Sequence, residues 1–199
     1  MNGVYLKVLE NRVRRRGYAT TAFNYRSVVL TPKQNARKLQ RFISKKVKAK
    51  KIHLVAHSLG GLVLKHYMHS YADPRVDRVV MLGTPITGSD VAREFGKHEL
   101  PRLLLGRSVK DGLLGGAPPW PAGRPLAMIA GDRTVGLDTL VKSPKSSVSD
   151  GTVFLHETQS KEVTHHYVAP VGHTALLFSR HVVRAIVSYL KFGDFDHLR

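Results

Sequence analysis

The chain has 199 residues, which suits one domain with a substantial core. It has no cysteine, which excludes disulfides and thiolate metal sites. The formal net charge is +18, and the hydrophobic fraction of 42% is ordinary for a water-soluble globular fold.

No apolar run approaches the roughly 20 residues that a membrane-spanning helix needs. The opening stretch MNGVYLKVLENRVRRRGY lacks the basic-then-apolar order and the cleavage site of a signal peptide, so a cytoplasmic chain is expected. Within it, residues 4–16 are predicted as a helix, with Tyr5, Val8, Leu9 and Val13 on one face. Residues 18–25, YATTAFNY, are rich in β-formers and are predicted as a strand. Residues 33–48 form an amphipathic helix. Ala36, Leu39, Phe42, Ile43 and Val47 share a stripe, while Arg37, Lys38, Arg41, Lys45 and Lys48 lie off it.

The short apolar run 52–57, IHLVAH, is a strand, and residues 59–71 continue as a helix. Strands follow at 76–84, 124–131 and 161–170. A final helix covers about 174–191, with Ala175, Phe178, Val182, Val183, Ile186 and Leu190 at helical spacing. Apolar strands alternating with helices predict an α/β fold: a mostly parallel sheet with helices on both faces, in a single domain spanning 1–199. The interval 98–125 departs from the pattern. It is rich in Gly and Pro, yet it carries Leu103, Leu104, Leu105, Leu113, Leu114 and Trp120. A long loop with such apolar content is expected either to cover the site or line a substrate pocket, with Trp120 as a substrate-binding candidate, or to be a plain surface loop.

Basic residues crowd two places, RVRRR at 12–16 and the span Lys33 to Lys51. The first expectation is solvated helix faces. Such a charge also favours peripheral contact with anionic surfaces. Without an aromatic-studded basic sheet or a helix-turn-helix pattern, no specific nucleic-acid partner is expected.

The most informative stretch is KKIHLVAHSLGG, residues 50–61. A strand, a small residue, any residue, Ser58, any residue, Gly60, then a helix is the nucleophile-elbow pattern. The turn demands small residues two positions either side of the serine, supplied by Ala56 and Gly60. Gly61 lets the helix pack close. Such a turn exposes the Ser58 hydroxyl and aims the Leu59 N–H at a developing oxyanion. The competing reading is a serine that only caps the following helix.

A serine nucleophile needs a base, and the base an orienting carboxylate. His173 follows a strand and opens the last helix, which makes it the best base. Two acids compete. Asp132 directly follows a strand, and Asp150 sits in an Asp-Gly turn nearer His173; Asp150 is preferred. His66 and His69 are spaced i, i+3, but without a carboxylate partner an exposed helix face is expected. His165 and His166 are adjacent in a strand and should point to opposite faces. His57 is expected to pack or to hydrogen-bond locally.

Together, LVAHSLGG, VVMLGTP with TGS after it, SDGTV and VGHTALLFSRHVVRAI resemble the α/β-hydrolase family. They look most like its small bacterial lipase and esterase branch, with an Ala-His-Ser-x-Gly-Gly elbow. The resemblance runs from about residue 4 to the C-terminus. It implies Ser58 as nucleophile, Asp150 as acid, His173 as base and Leu59 as an oxyanion donor. It implies hydrolysis of carboxylic esters, small esters or lipids, through an acyl-enzyme, with no metal and no organic cofactor. Related acyl transfer (thioesterase, lysophospholipase or acyltransferase) would use the same serine. A polyanion-binding protein on a catalytically weak hydrolase fold is the rival from another class.

Family members begin with an apolar strand ending in His-Gly, and the following loop gives a second oxyanion N–H. Here the sequence opens at Met1-Asn2-Gly3, directly before the first helix. The expectation is a fold lacking that strand, and a weakly active or unstable 199-residue form. One lost oxyanion donor typically costs about 10²–10³ in turnover.

Overall fold

The computed structural model describes residues 3–25, 29–95, 107, 111–134 and 148–198. Four strands form its sheet: β1 (Ile52–His57), β2 (Val76–Leu82), β3 (Leu126–Gly131) and β4 (His165–Ala169). They are hydrogen-bonded in the order β1-β2-β3-β4, and every pairing is parallel. Each strand therefore returns through a crossover, and all four point the same way. The register sets His57 beside Leu82, Leu82 beside Ile129 and Gly131 beside Ala169. The loops that leave these positions share one end of the sheet.

Helices cover both faces. On one side, α1 (Gly3–Arg14) and the C-terminal helix α5 (Arg180–Phe192) pack together. On the other, α2 (Pro32–Lys46) packs against α3 (Leu59–Tyr71). A short α4 (Asp90–Phe95) follows β2. The alternation of β2 divides the core. Val80 and Leu82 join Leu9, Val13, Val183 and Ile186 on one face, whereas Val79 and Met81 join Leu39, Ile43, Tyr67 and Met68 on the other. An apolar side chain at every one of these positions is what a strand covered on both faces requires.

The start of α2 is fixed locally. Thr31 Oγ1 accepts from Gln34 N, Gln34 Oε1 accepts from Thr31 N, and Pro32 occupies the first turn. This reciprocal box satisfies two amides that otherwise lack partners.

Three segments differ from expectation. Residues 18–25 are not a strand: they pair with no strand among the described residues. Their aromatics still bury, with Tyr18 against the α1/α5 core and Phe23 and Tyr25 against the α2/α3 core. Side-chain packing without a ladder partner leaves extended chain rather than sheet. The last helix is interrupted as well. Thr174–Leu177 forms a 3₁₀ turn, and Ser179 then caps α5 by accepting from Val182 N at 3.3 Å.

The third difference is Trp120. Of the 98–125 interval, Leu103, Leu104 and Leu105 lie outside the described residues. Trp120 is only 7% exposed and packs in the α2/α3 core with Leu126 and Met128. Its indole Nε1 donates to Arg124 O, and its backbone N donates to Glu162 Oε1. Arg124 in turn donates to Val76 O at the start of β2. Trp120 thus sits at the end of the sheet opposite Ser58. The chain runs back there to begin β3, so this ring is a packing element and not a substrate contact.

Candidate active site

Ser58 has φ 55° and ψ −126°, a conformation costly for a residue with a side chain. The cost is met by contacts around it. Ser58 N donates to Leu82 O at 2.7 Å, and Thr84 Oγ1 donates to Ser58 O at 2.8 Å. A Cβ at Gly60 would lie 3.4 Å from the Ala56 methyl, so those two small residues face one another across the turn. At Gly61 a Cβ would stand 2.2 Å from Thr84 Oγ1, which forbids any side chain there. The close approach of α3 to the loop after β2 therefore depends on that glycine.

Although Ser58 precedes α3, its side chain makes no cap hydrogen bond. It points instead to His173, whose Nε2 lies 3.0 Å from Ser58 Oγ. On the other side of that imidazole, Nδ1 lies 2.7 Å from Asp150 Oδ2. With Nδ1–H donating to the carboxylate, Nε2 is left as an acceptor for the serine hydroxyl.

Asp150 is 2% exposed, and its other oxygen, Oδ1, accepts from Thr152 N and Val153 N. Its backbone carbonyl accepts from His173 N at 2.7 Å. Asp150 and His173 are thus joined through main chain as well as side chain. Asp132, the rival acid, pairs with the neighbouring Arg133 at 3.7 Å and does not meet His173. Leu59 is the first residue of α3, so its N–H has no helical carbonyl to serve and is available to an oxyanion.

Four contributors escaped sequence reasoning. Gly83 has φ +53°, and a Cβ there would meet Asp150 Oδ2 at 2.9 Å and His173 Nδ1 at 3.1 Å. Thr84 holds the elbow carbonyl, as described above. The Gly-Thr pair closing the strand VVMLGTP was the available signal for both.

Glu157 is 1% exposed. Its Oε1 accepts from Asp90 N, its Oε2 from Phe154 N, and its carbonyl from Thr87 N. It thereby ties the Asp150 turn to the segment after β2. Burial pushes its carboxyl up to about 7, against the pull of those two amides. A lone acid in an apolar stretch, four residues past Val153, was the clue.

His57 is the fourth. It bonds across 116 residues rather than locally: its Nε2–H donates to His173 O at 2.9 Å. The two rings stand 4.6 Å apart. Burial pushes the His57 imidazole down to about 3, and the neighbouring His173 adds to the effect. At neutral pH it is a fixed, uncharged donor.

The remaining histidines lie elsewhere. His69 is exposed, but His66 is buried, because its Nε2 is anchored 2.7 Å from Asp111 O. His165 and His166 diverge, toward Tyr189 and Thr158 respectively. Asp90, His156 and Glu157 have ligand atoms within 4.8 Å of one another, a possible metal grouping. Both Glu157 oxygens there are already used by amides, and Arg93 already supplies a cation to Asp90. A cavity of about 220 Å³ lined by Gln159, Ser160, Val163 and His166 sits before and at the start of β4, away from Ser58.

Comparison with known proteins places this architecture. Residues 2–143 match a family described as a domain of unknown function, DUF7379. A comparison with curated proteins yields no match. Among solved structures, the chain is similar to the Bacillus licheniformis lipase BlEst2 in mature form. The TM-score is 0.65 and the identity 18%, over 92% of this chain and 81% of that one. It is similar to the Arabidopsis methylesterase MES16 with a TM-score of 0.62 and 15% identity, over 95% and 94%. It is also similar to an α/β hydrolase from a sediment metagenome of the Mar Chica lagoon, Morocco, with a TM-score of 0.54 and 14% identity, over 85% and 74%. These likenesses establish the fold as that of the α/β-hydrolases.

Proposed function

Because the chain belongs to the DUF7379 family, whose description names no activity, its chemistry has to be read from the site, and we propose that it is a serine hydrolase of carboxylic esters. The carrying observation is the continuous relay in which Ser58 Oγ lies 3.0 Å from His173 Nε2 and His173 Nδ1 lies 2.7 Å from Asp150 Oδ2.

In the first half-reaction, Ser58 Oγ attacks the ester carbonyl carbon while His173 Nε2 takes its proton. The carbonyl oxygen becomes an oxyanion, stabilised by the Leu59 N–H at the start of α3. Collapse breaks the bond to the alcohol, which leaves with the proton from His173. Water then repeats the sequence on the acyl-serine: His173 accepts its proton, the acid departs, and Ser58 is restored. Asp150 stays ionised, holding the imidazole in the productive tautomer and balancing the imidazolium.

The resemblance to the small bacterial lipases and esterases, with the apolar content of the 98–125 interval, favours simple esters or lipids. Two of the structural neighbours, a lipase and a methylesterase, support that class.

The test is labelling by a fluorophosphonate and turnover of a short-chain nitrophenyl ester, with Ser58→Ala as control. Both signals are expected in the wild type and absent in the variant. Labelling that persists in Ser58→Ala would remove the proposal.

A further inference from the structure

The chain has no Asp or Glu between Glu10 and Asp73. The fold gathers much of the resulting charge at one pole. α2 ends at Lys46, just ahead of the start of β1. Tyr18, just past α1, stacks edge-on against His53 near the start of β1, at 6.0 Å. Arg78 near the start of β2 donates to Tyr189 O, which brings the end of α5 to the same place. All of this lies at the end of the sheet opposite His57 and Ser58.

Arg15, Arg16, Lys45, Lys46, Lys48 and Lys50 are exposed here and hold no ion pair with a described residue. The acids within reach are already engaged. Glu10 serves Arg14, Asp73 serves Arg75, and Asp77 is shared by Lys51, His53 and Arg78. Asp194 and Asp196 follow α5 and offset only part of the charge. Complementing a helix C-terminus accounts for Lys45 and Lys46, but not for the lysines beyond the last turn of α2. Beside this pole Phe192 is 46% exposed, with Lys191 Nζ 4.9 Å from its ring centroid.

We propose that this pole docks on the surface of a bilayer containing anionic phospholipid, leaving the Ser58 end turned toward water. Two observations favour a bilayer over a nucleic acid. The helices α1, α2 and α5 present their C-termini here, so among the described residues no helix N-terminus offers amides to clasp a fixed phosphate. The charge is carried mostly by lysines on long stems, with five in the seven residues 45–51. Such stems suit laterally mobile headgroups, and a half-exposed aromatic beside a lysine suits the interfacial zone. The binding is independent of the hydrolase reading, because none of these residues touches the relay, while the labelling readout of orientation rests on that reading.

The experiment is sedimentation of the full chain with phosphatidylcholine vesicles, with and without phosphatidylserine, at physiological salt. Tight binding is expected only with phosphatidylserine. Replacing Lys45, Lys46, Lys48 and Lys50 together by Gln should weaken it at least about tenfold. Phe192→Ser should weaken it further, and fluorophosphonate labelling should be unchanged in both variants. Labelling of vesicle-bound wild type by a soluble fluorophosphonate should match that of free protein, since the mouth faces away. Equal binding by wild type and the quadruple variant would overturn the proposal. Duplex DNA that displaces the protein from vesicles at matched phosphate concentration would overturn the choice of a bilayer. Loss of labelling on vesicles would overturn the orientation.

Discussion

His57 Nε2 lies 2.9 Å from the backbone carbonyl of His173, a bond that spans 116 residues and joins the residue before Ser58 to the residue whose imidazole faces Ser58 Oγ. Strand β1 and the loop after β4 lie at opposite edges of the sheet, and this contact locks their ends together. It works because the His57 imidazole is buried and uncharged. A protonated ring in that position would stand against His173 just as His173 becomes cationic in the proposed reaction.

The sign of the His57 shift fixes a pH dependence. The group is pushed down to about 3 in the fold, from 6.5 in the open chain. Between those values the unfolded chain binds a proton that the folded one does not, so stability falls as pH drops from 6.5 toward 3. The linked loss is roughly 5 kcal/mol across the window. His57→Gln, which retains an N–H donor, should flatten the acid side of the stability profile and keep turnover within a few-fold. His57→Leu should also flatten it but lower kcat about tenfold. Chemical denaturation at several pH values checks this, and an undiminished acid slope in both variants would refute it.

Gly83→Ala should disable the relay. The added methyl would stand 2.9 Å from Asp150 Oδ2, on a backbone with φ +53°. We expect kcat to fall by about 10² or more through displacement of the acid-base pair, with about 1–3 kcal/mol of lost stability. Ester turnover and a circular-dichroism melt separate the two effects.

Thr84→Val keeps the shape of the side chain and removes its hydroxyl. The Ser58 carbonyl then loses its donor at 2.8 Å. A loss of about 1 kcal/mol in stability is expected, with a several-fold drop in kcat at unchanged KM. A normal kcat would show that the elbow holds its strained geometry without this bond.

Glu157→Ala should be worse than Glu157→Gln. Alanine removes the carboxylate oxygens that accept from the Asp90 and Phe154 amides, and the buried Phe154 amide alone should cost about 1–3 kcal/mol. Glutamine retains one acceptor oxygen. Because burial already raises the Glu157 carboxyl to about 7, its folding contribution favours the protonated form and declines as pH rises from 4.5 through 7. Glu157→Gln should remove that decline, and thermal melts across this range would reveal it.

Trp120→Ala should cost about 3–5 kcal/mol of stability, as a large core truncation does. KM for a short ester should not change, because the indole lies in the α2/α3 core at the far end of the sheet. A raised KM with normal stability would restore Trp120 as a substrate contact.

The elements that the sequence made legible are those whose signals are local. The strand IHLVAH and the helix after it were readable because an apolar run meets a Ser between small residues, and both appear with the predicted bounds. The candidate acid was favoured by its Asp-Gly turn and its closeness in sequence to His173. What stayed hidden depends on long-range packing. Residues 18–25 have strand-like composition, yet composition does not supply a neighbouring ladder. Trp120 sits in a Gly/Pro-rich loop, and nothing nearby in sequence tells that Arg124 and Glu162 draw it back to the strand starts. Glu157 and the His57 bond emerge only when the loops after β2, β3 and β4 converge.

Trp120 is the only tryptophan in the chain, and it lies buried at a distance from Ser58. Intrinsic emission excited at the indole band therefore reports whether the interior is intact and is blind to what occupies the mouth beside Ser58. The molecule carries its own unfolding gauge, so structural damage and chemical damage in any variant that keeps this residue can be told apart in a single cuvette.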